Sequence, residues 1–142
     1  MSAPWLLGRT APPRSVTLQF VSPTTFKSEG RHVPVPLPHL VFGSLLEKWN
    51  AFAPVAFPPE LRRYANECLA LSSYQLRSSG VTLKEGGLRM GAVGRARYVS
   101  TSFDRYWMSL INLLADFALF AGLGAGTGMG LGQCRKMADL KL

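Results

Sequence analysis

Glycine occupies every second position from 122 to 132, in the run Gly-Leu-Gly-Ala-Gly-Thr-Gly-Met-Gly-Leu-Gly. Gly122, Gly124, Gly126, Gly128, Gly130 and Gly132 are six of the chain's fourteen glycines, and Arg135 and Lys136 follow them closely. Ordering so much glycine is entropically costly, so the run implies positive φ or a close approach of backbone to something. A row of N–H groups free of bulky side chains, with two cations behind it, suits a phosphodiester backbone held at short range. A tight crossover packed on a neighbouring helix uses glycine in the same way, and both readings stay open. Nucleotide chemistry is disfavoured. A dinucleotide fingerprint needs one odd glycine spacing, and every glycine of the run has an even number. A Walker A loop needs a lysine after its glycines, and none comes before Lys136.

Other chemistry is sparse. Residues 24–32 hold Lys27, Arg31 and His32, a setting that suits a general base or a phosphate contact, as well as an ordinary exposed histidine. His32 is the single candidate for proton transfer. His39 stands at a predicted helix start, seven residues on and without nearby carboxylates, so no metal site is expected. No cofactor is called for. In residues 88–99, Met90, Ala92, Gly94, Ala96 and Tyr98 alternate with Arg89, Val93, Arg95 and Arg97. A strand there carries small residues on one face and guanidinium groups on the other, either a solvated or a phosphate-binding surface. The expected nucleic-acid contacts are therefore the six glycines with Arg135, Lys136, Arg95, Arg97, Lys27 and Arg31.

These residues need a scaffold. Val16, Leu18 and Phe20 alternate with Thr17 and Gln19, which predicts a strand over residues 16–21 that Ser22-Pro23 ends. Residues 24–32 then read as a loop. Prolines 34, 36 and 38 make a stiff extended connector or a recruitment motif. From Pro38, the spacing of Phe42, Leu45, Leu46, Trp49 and Phe52 predicts an amphipathic helix ended before Pro54. Residues 60–65 suggest a short turn. A second strand over 68–76 slips phase at Ser72 and Ser73, as a bulge would cause, and Gly80 and Gly86-Gly87 bracket a turn region before the third strand. Residues 105–121 form the clearest helix, with Arg105, Ser109, Asn112 and Asp116 as a narrow polar stripe. Its wide apolar face predicts cover by a second domain or subunit. A last strand spans 133–137. The order predicts an α+β ferredoxin-like βαββαβ sandwich, a four-stranded antiparallel sheet with two helices on one face. Cys68 and Cys134 then lie on opposite edges, roughly 14 Å apart and unjoined.

Composition narrows the partner. The 142 residues suffice for one domain, and 47% hydrophobic against 17% charged residues fits a folded chain. A net charge of +8 points to an anionic partner, nucleic acid first and acidic membrane second. Residues 1–7 lack a basic start and hold only a Trp5-Leu6-Leu7 patch, so no secretory signal is expected. The apolar run from 106 contains Asn112 and Asp116 and breaks into glycines short of the roughly 20 residues a membrane span requires. Two isolated cysteines without metal or redox spacing fit a cytoplasmic protein.

The glycine run after a second helix is accompanied by Phe-Val-Ser-Pro-Thr-Thr-Phe from residue 20, Leu-Val-Phe-Gly-Ser-Leu-Leu-Glu-Lys-Trp-Asn from 40 and Gly-Ala-Val-Gly-Arg-Ala-Arg-Tyr from 91. In order and spacing this resembles the repeat-associated mysterious protein superfamily, closest to the C-terminal half of the CRISPR precursor-RNA processing endoribonucleases. The resemblance covers residues 16–136. It implies a domain over 16–137, with 1–15 as a lead-in and 138–142 as a tail, that binds CRISPR repeat RNA beside a second ferredoxin-like unit. It also implies metal-independent cleavage by the adjacent ribose 2'-hydroxyl, which needs a base, an acid and a cation. Only one such unit is visible, and the family's base usually comes from the other, so no catalytic residue carries over. A non-cutting subunit that grips guide RNA, and a ferredoxin-like small-molecule sensor, are the rival readings.

Overall fold

A computed structural model describes residues 11–138, so the Trp5–Leu7 patch, most of the lead-in and residues 139–142 of the tail lie outside the described residues. The elements run β1 (Ser15–Thr24), β2 (Phe26–Ser28), β3 (Arg31–Val33), α1 (Pro38–Phe52), α2 (Glu60–Cys68), β4 (Leu69–Thr82), β5 (Leu88–Ser100), α3 (Arg105–Ala121) and β6 (Cys134–Met137). The main sheet has the order β4-β5-β1-β6, antiparallel throughout. The fold is the ferredoxin-like sandwich, enlarged by α2 and by the small β2–β3 sheet. Cys134 lies on the edge strand β6 and Cys68 at the end of α2, just before the opposite edge strand β4, and both thiols are free.

Alternation decides which sheet face meets the helices. Val16, Leu18, Phe20, Ala96, Tyr98 and Cys134 are buried with Leu45, Ile111 and Leu114 of the helices. Tyr98 packs edge-on against Phe42, and its hydroxyl donates to the Pro36 carbonyl at 2.6 Å. Pro38 opens α1 at its first turn, as expected, and α1 stops before Pro54.

Four expectations are corrected. First, Pro23 does not end β1. The strand reaches Thr24 through a register shift after Phe20, an irregularity that tolerates a residue without an N–H. Second, the loop over 24–32 is the β2–β3 hairpin, turned by Glu29 and Gly30 at φ 52° and 75°. Two successive positive φ values match the twist of a tight hairpin, but Glu-Gly lacks the usual Asn or Asp signal. Third, α2 replaces a short turn and ends at Cys68. β4 starts one residue later and runs to Thr82, so Gly80 is in the strand and the reversal uses residues 83–87. The bulge at Ser72 is present, as a register shift between Leu71 and Ser73.

Fourth, the polar stripe of α3 faces inward at its middle. Ser109 and Asn112 are buried and return their side-chain hydrogen bonds to Arg105 and Met108 carbonyls, with Asn112 also reaching the Pro13 carbonyl at 3.4 Å. The apolar flanks are absorbed within the domain, Trp107 stacking on Tyr64 and Phe117 meeting Trp49. What stays uncovered is smaller than expected, namely Leu119 and Phe120 at the end of α3 and Phe52 at the end of α1. Among the described residues no helix is long and apolar enough to cross a membrane.

Candidate nucleic-acid interface

The glycine run links α3 to β6, and most of its backbone is tied to the domain. Leu123 N–H donates to the Gly132 carbonyl and closes the neck of the loop. Gly124 N–H donates to Ser44 Oγ at 2.9 Å, Ala125 N–H to the Thr25 carbonyl at 2.9 Å, and Gly132 N–H to the Pro23 carbonyl at 3.0 Å. Five of the six glycines have positive φ, from 66° at Gly124 to 86° at Gly130. A Cβ on Gly124 would meet the Thr25 carbonyl, and one on Gly132 the Leu123 carbonyl. Tight crossover packing therefore accounts for Gly122, Gly124, Gly126 and Gly132, while Gly130 has open space at its Cβ position and is required by its φ alone.

Gly128 is the exception. It is exposed, its φ is ordinary, and nothing lies within 4 Å of where its Cβ would be. It sits in a single 3-10 turn, Thr127–Met129, between left-handed Gly126 and Gly130. The N–H groups of Gly126, Thr127 and Gly128 find no acceptor among the described residues. Only this tip retains the free donors that the run suggests.

Two hairpins share this end of the sheet. A Cβ on Gly124 would also touch Phe26 of β2, and one on Gly91 of β5 would run into the Pro23–Thr24 backbone. Lys27 and His32 face each other across β2–β3, with Arg31 beside the turn. The imidazole of His32 is held below its usual range, first by partial loss of water and then by the positive charges of Arg89 and Lys27.

Arg95, Arg97 and Arg135 lie elsewhere, on the sheet face away from the helices. Gln75, Arg95, Gln19 and Arg135 form one row across all four strands. Gln75 Oε1 accepts from Arg95 at 2.9 Å and Gln19 Oε1 from Arg135 at 2.7 Å, while Arg97 donates to Ser15 Oγ at 3.1 Å. Arg77 and Arg89 pair with Val93 and Val81, which puts them in the same alternation as Arg95. The four strands contain no Asp or Glu, and the described carboxylates sit on the helices, at the α3 cap or in the hairpin turns at Glu29 and Glu85. The aromatic residues of these strands, Phe20, Tyr74 and Tyr98, belong to the opposite alternation, so this face offers guanidinium groups and no stacking platform.

Lys136 parts company with Arg135. It points to the helix side and pairs with Asp116 at 3.3 Å. Cys134 is buried, and burial pushes its thiol up to about 12, which leaves it inert at neutral pH. Arg77, Arg89, Gln19, Gln75, Ser44 and Lys48 were not among the expected site residues. Strand phase with Arg95 signals the first two, and the spacing of four on α1 signals Ser44 and Lys48.

Comparison with known proteins matches this architecture. The profile of the family described as CRISPR-associated endoribonuclease Cas6 fits residues 18–134. A CRISPR-associated endoribonuclease Cas6 of Mycobacterium tuberculosis is 32% identical over 124 residues, 86% of this chain and 38% of that protein. Among solved structures, a Cas6 product complex superposes with a TM-score of 0.82 at 31% identity, covering 97% of this chain and 60% of that one. Thermus thermophilus Cas6 does so with a TM-score of 0.82 at 30% identity, covering 92% and 56%. The chain thus spans between 38% and 60% of the length of these relatives.

Proposed function

This chain belongs to the family of CRISPR-associated endoribonucleases Cas6, and we propose that it is the domain that grips CRISPR repeat RNA during precursor processing. The observation that carries this reading is one-sided charge. Arginines crowd the open sheet face and the adjoining end, all carboxylates of the described strands' neighbourhood are on helices, caps or turns, and the loop tip adds three free N–H donors. Such a surface attracts a polyanion and contacts its phosphates without reading bases. The domain is taken as residues 16–137. Leu119, Phe120 and Phe52 are the proposed seat of the second ferredoxin-like unit, and the setting is the cytoplasm.

We assign the cleaving groups to that second unit. The test of binding is a salt series with a CRISPR repeat hairpin and an unrelated RNA. Both affinities should fall steeply as salt rises, and no salt dependence would overturn RNA binding; equal affinity for the two RNAs would overturn the repeat-specific part of the reading. Cutting of repeat RNA by this chain alone, in the presence of a chelator and abolished by His32→Ala, would overturn the assignment of catalysis.

His32 reports on where the RNA lies. In the free protein its folded pKa is lowered, so the unfolded chain binds more protons near pH 6, and the associated stability, present at higher pH, is lost as pH falls. A phosphate beside the ring reverses the balance of charge. Proton NMR should show the His32 midpoint below 6.5 in the free protein and moving upward on RNA binding, with affinity rising as pH drops through that window. An unmoved midpoint places the RNA away from the β2–β3 hairpin.

A further inference from the structure

We infer that Ser44 and Lys48 of α1 are positioning residues that clamp Gly124 and thereby hold the tip of the glycine loop in its RNA-binding shape. This inference rests on the RNA-gripping role proposed above. One turn apart on α1, the two side chains share a helix face. Ser44 Oγ accepts the Gly124 N–H at 2.9 Å, and Lys48 Nζ donates to the Gly124 carbonyl at 3.3 Å. Both polar groups of one glycine are therefore taken by a single helix. On its third side Gly124 is closed off by the Thr25 carbonyl, which also accepts the next N–H, from Ala125. Two residues beyond Gly124 the chain turns left-handed at Gly126, and the three free donors begin.

A run with glycine at alternate positions samples many conformations, and a ligand that must order it loses affinity. Fixing Gly124 at three points removes that cost in advance. Lys48 is an expensive choice for a merely structural contact. It is half-buried, it forms no ion pair among the described residues, and Glu47 beside it leans 4.0 Å from Arg62 instead. Lost water accordingly draws its pKa down. An apolar side chain would suit that environment better for stability alone. What lysine adds is a hydrogen bond to the loop and a positive charge behind the donors that face the RNA.

The test uses the full 142-residue chain with Lys48→Met, Lys48→Arg and Ser44→Ala, a repeat hairpin as the probe, and amide hydrogen exchange of the free protein. Melting of Lys48→Met should be unchanged or raised. Exchange at Gly124 and Ala125 should quicken at least tenfold in Lys48→Met and Ser44→Ala, and RNA affinity should fall about tenfold with an unchanged salt slope. Lys48→Arg should recover part of both. Unchanged exchange overturns the clamp, and a salt slope reduced by about one makes Lys48 a direct phosphate contact instead. If the wild-type chain binds no repeat RNA, the functional role fails, while the exchange rates still decide whether the clamp exists.

Discussion

Gly132→Ala is expected to cost the domain about 3–5 kcal/mol, whereas Gly128→Val should leave stability within about 0.5 kcal/mol and abolish tight RNA binding. Gly132 has a φ of 72°, and a Cβ there would press into the Leu123 carbonyl at the neck of the loop. Left-handed strain and backbone overlap add, and they fall where Gly132 also donates to the Pro23 carbonyl of β1. The penalty is a large part of a typical domain's stability of about 5–15 kcal/mol. Gly128 has ordinary φ and open space, so valine fits the free protein. Its side chain would add bulk to the exposed turn that carries the unoccupied N–H donors and so hinder the close approach of a phosphate. Chemical denaturation and RNA binding of the two variants read these effects separately. Gly128→Val binding as well as wild type would show that the tip does not touch the RNA.

Replacing Arg95, Arg97 and Arg135 together by Gln should lower the slope of log affinity against log salt by about 2–3, since each phosphate contact contributes roughly 0.7–0.9. Repeat and unrelated RNA should lose affinity alike, because guanidinium groups on a face without aromatic residues hold backbone and not bases. Stability should change by less than about 1 kcal/mol, as the lost hydrogen bonds to Gln75, Gln19 and Ser15 are mostly exposed. Lys136→Met serves as the contrast. Its ammonium is engaged by Asp116 on the other side of the sheet, so the slope should stay within experimental error of wild type. A triple variant with the wild-type slope would remove the open face from the RNA path and leave only the hairpin end.

Much of this was legible without a fold. Period-two alternation in β1 and β5 separated the buried Val16, Leu18, Ala96 and Tyr98 from Gln19, Arg95 and Arg97. The slip at Ser72 marked a real bulge, and Pro38 and Pro54 bracketed α1. The same alternation already sends Arg135 and Lys136 to opposite faces, a consequence that grouping them as neighbours in sequence obscures. The β2–β3 hairpin was hidden because its turn, Glu29-Gly30, carries a weak signal and its strands are three residues each. The inward polar stripe of α3 was hidden because the Ser109 hydroxyl and the Asn112 amide nitrogen donate to carbonyls of their own helix, which polarity alone does not reveal.

By itself the sequence determined the βαββαβ frame, the ferredoxin-like class, the excess of cations and the even glycine spacing that excludes a dinucleotide loop, because each rests on local patterns of neighbouring residues, while α2 and the β2–β3 hairpin came only with the fold. Only the tertiary structure decided what each glycine is for. Gly124 is pinned by Ser44 and by Thr25, Gly132 by Leu123 and Pro23, and Gly128 by nothing, so a run uniform in sequence divides into packing positions and one open tip. The physical reason is that a glycine's role depends on which atoms lie where its Cβ would be. For Gly124 those atoms come from Thr25, far back in the sequence just past the end of β1, and for Gly132 from Leu123 across the neck of the loop, which only the closed turn brings close.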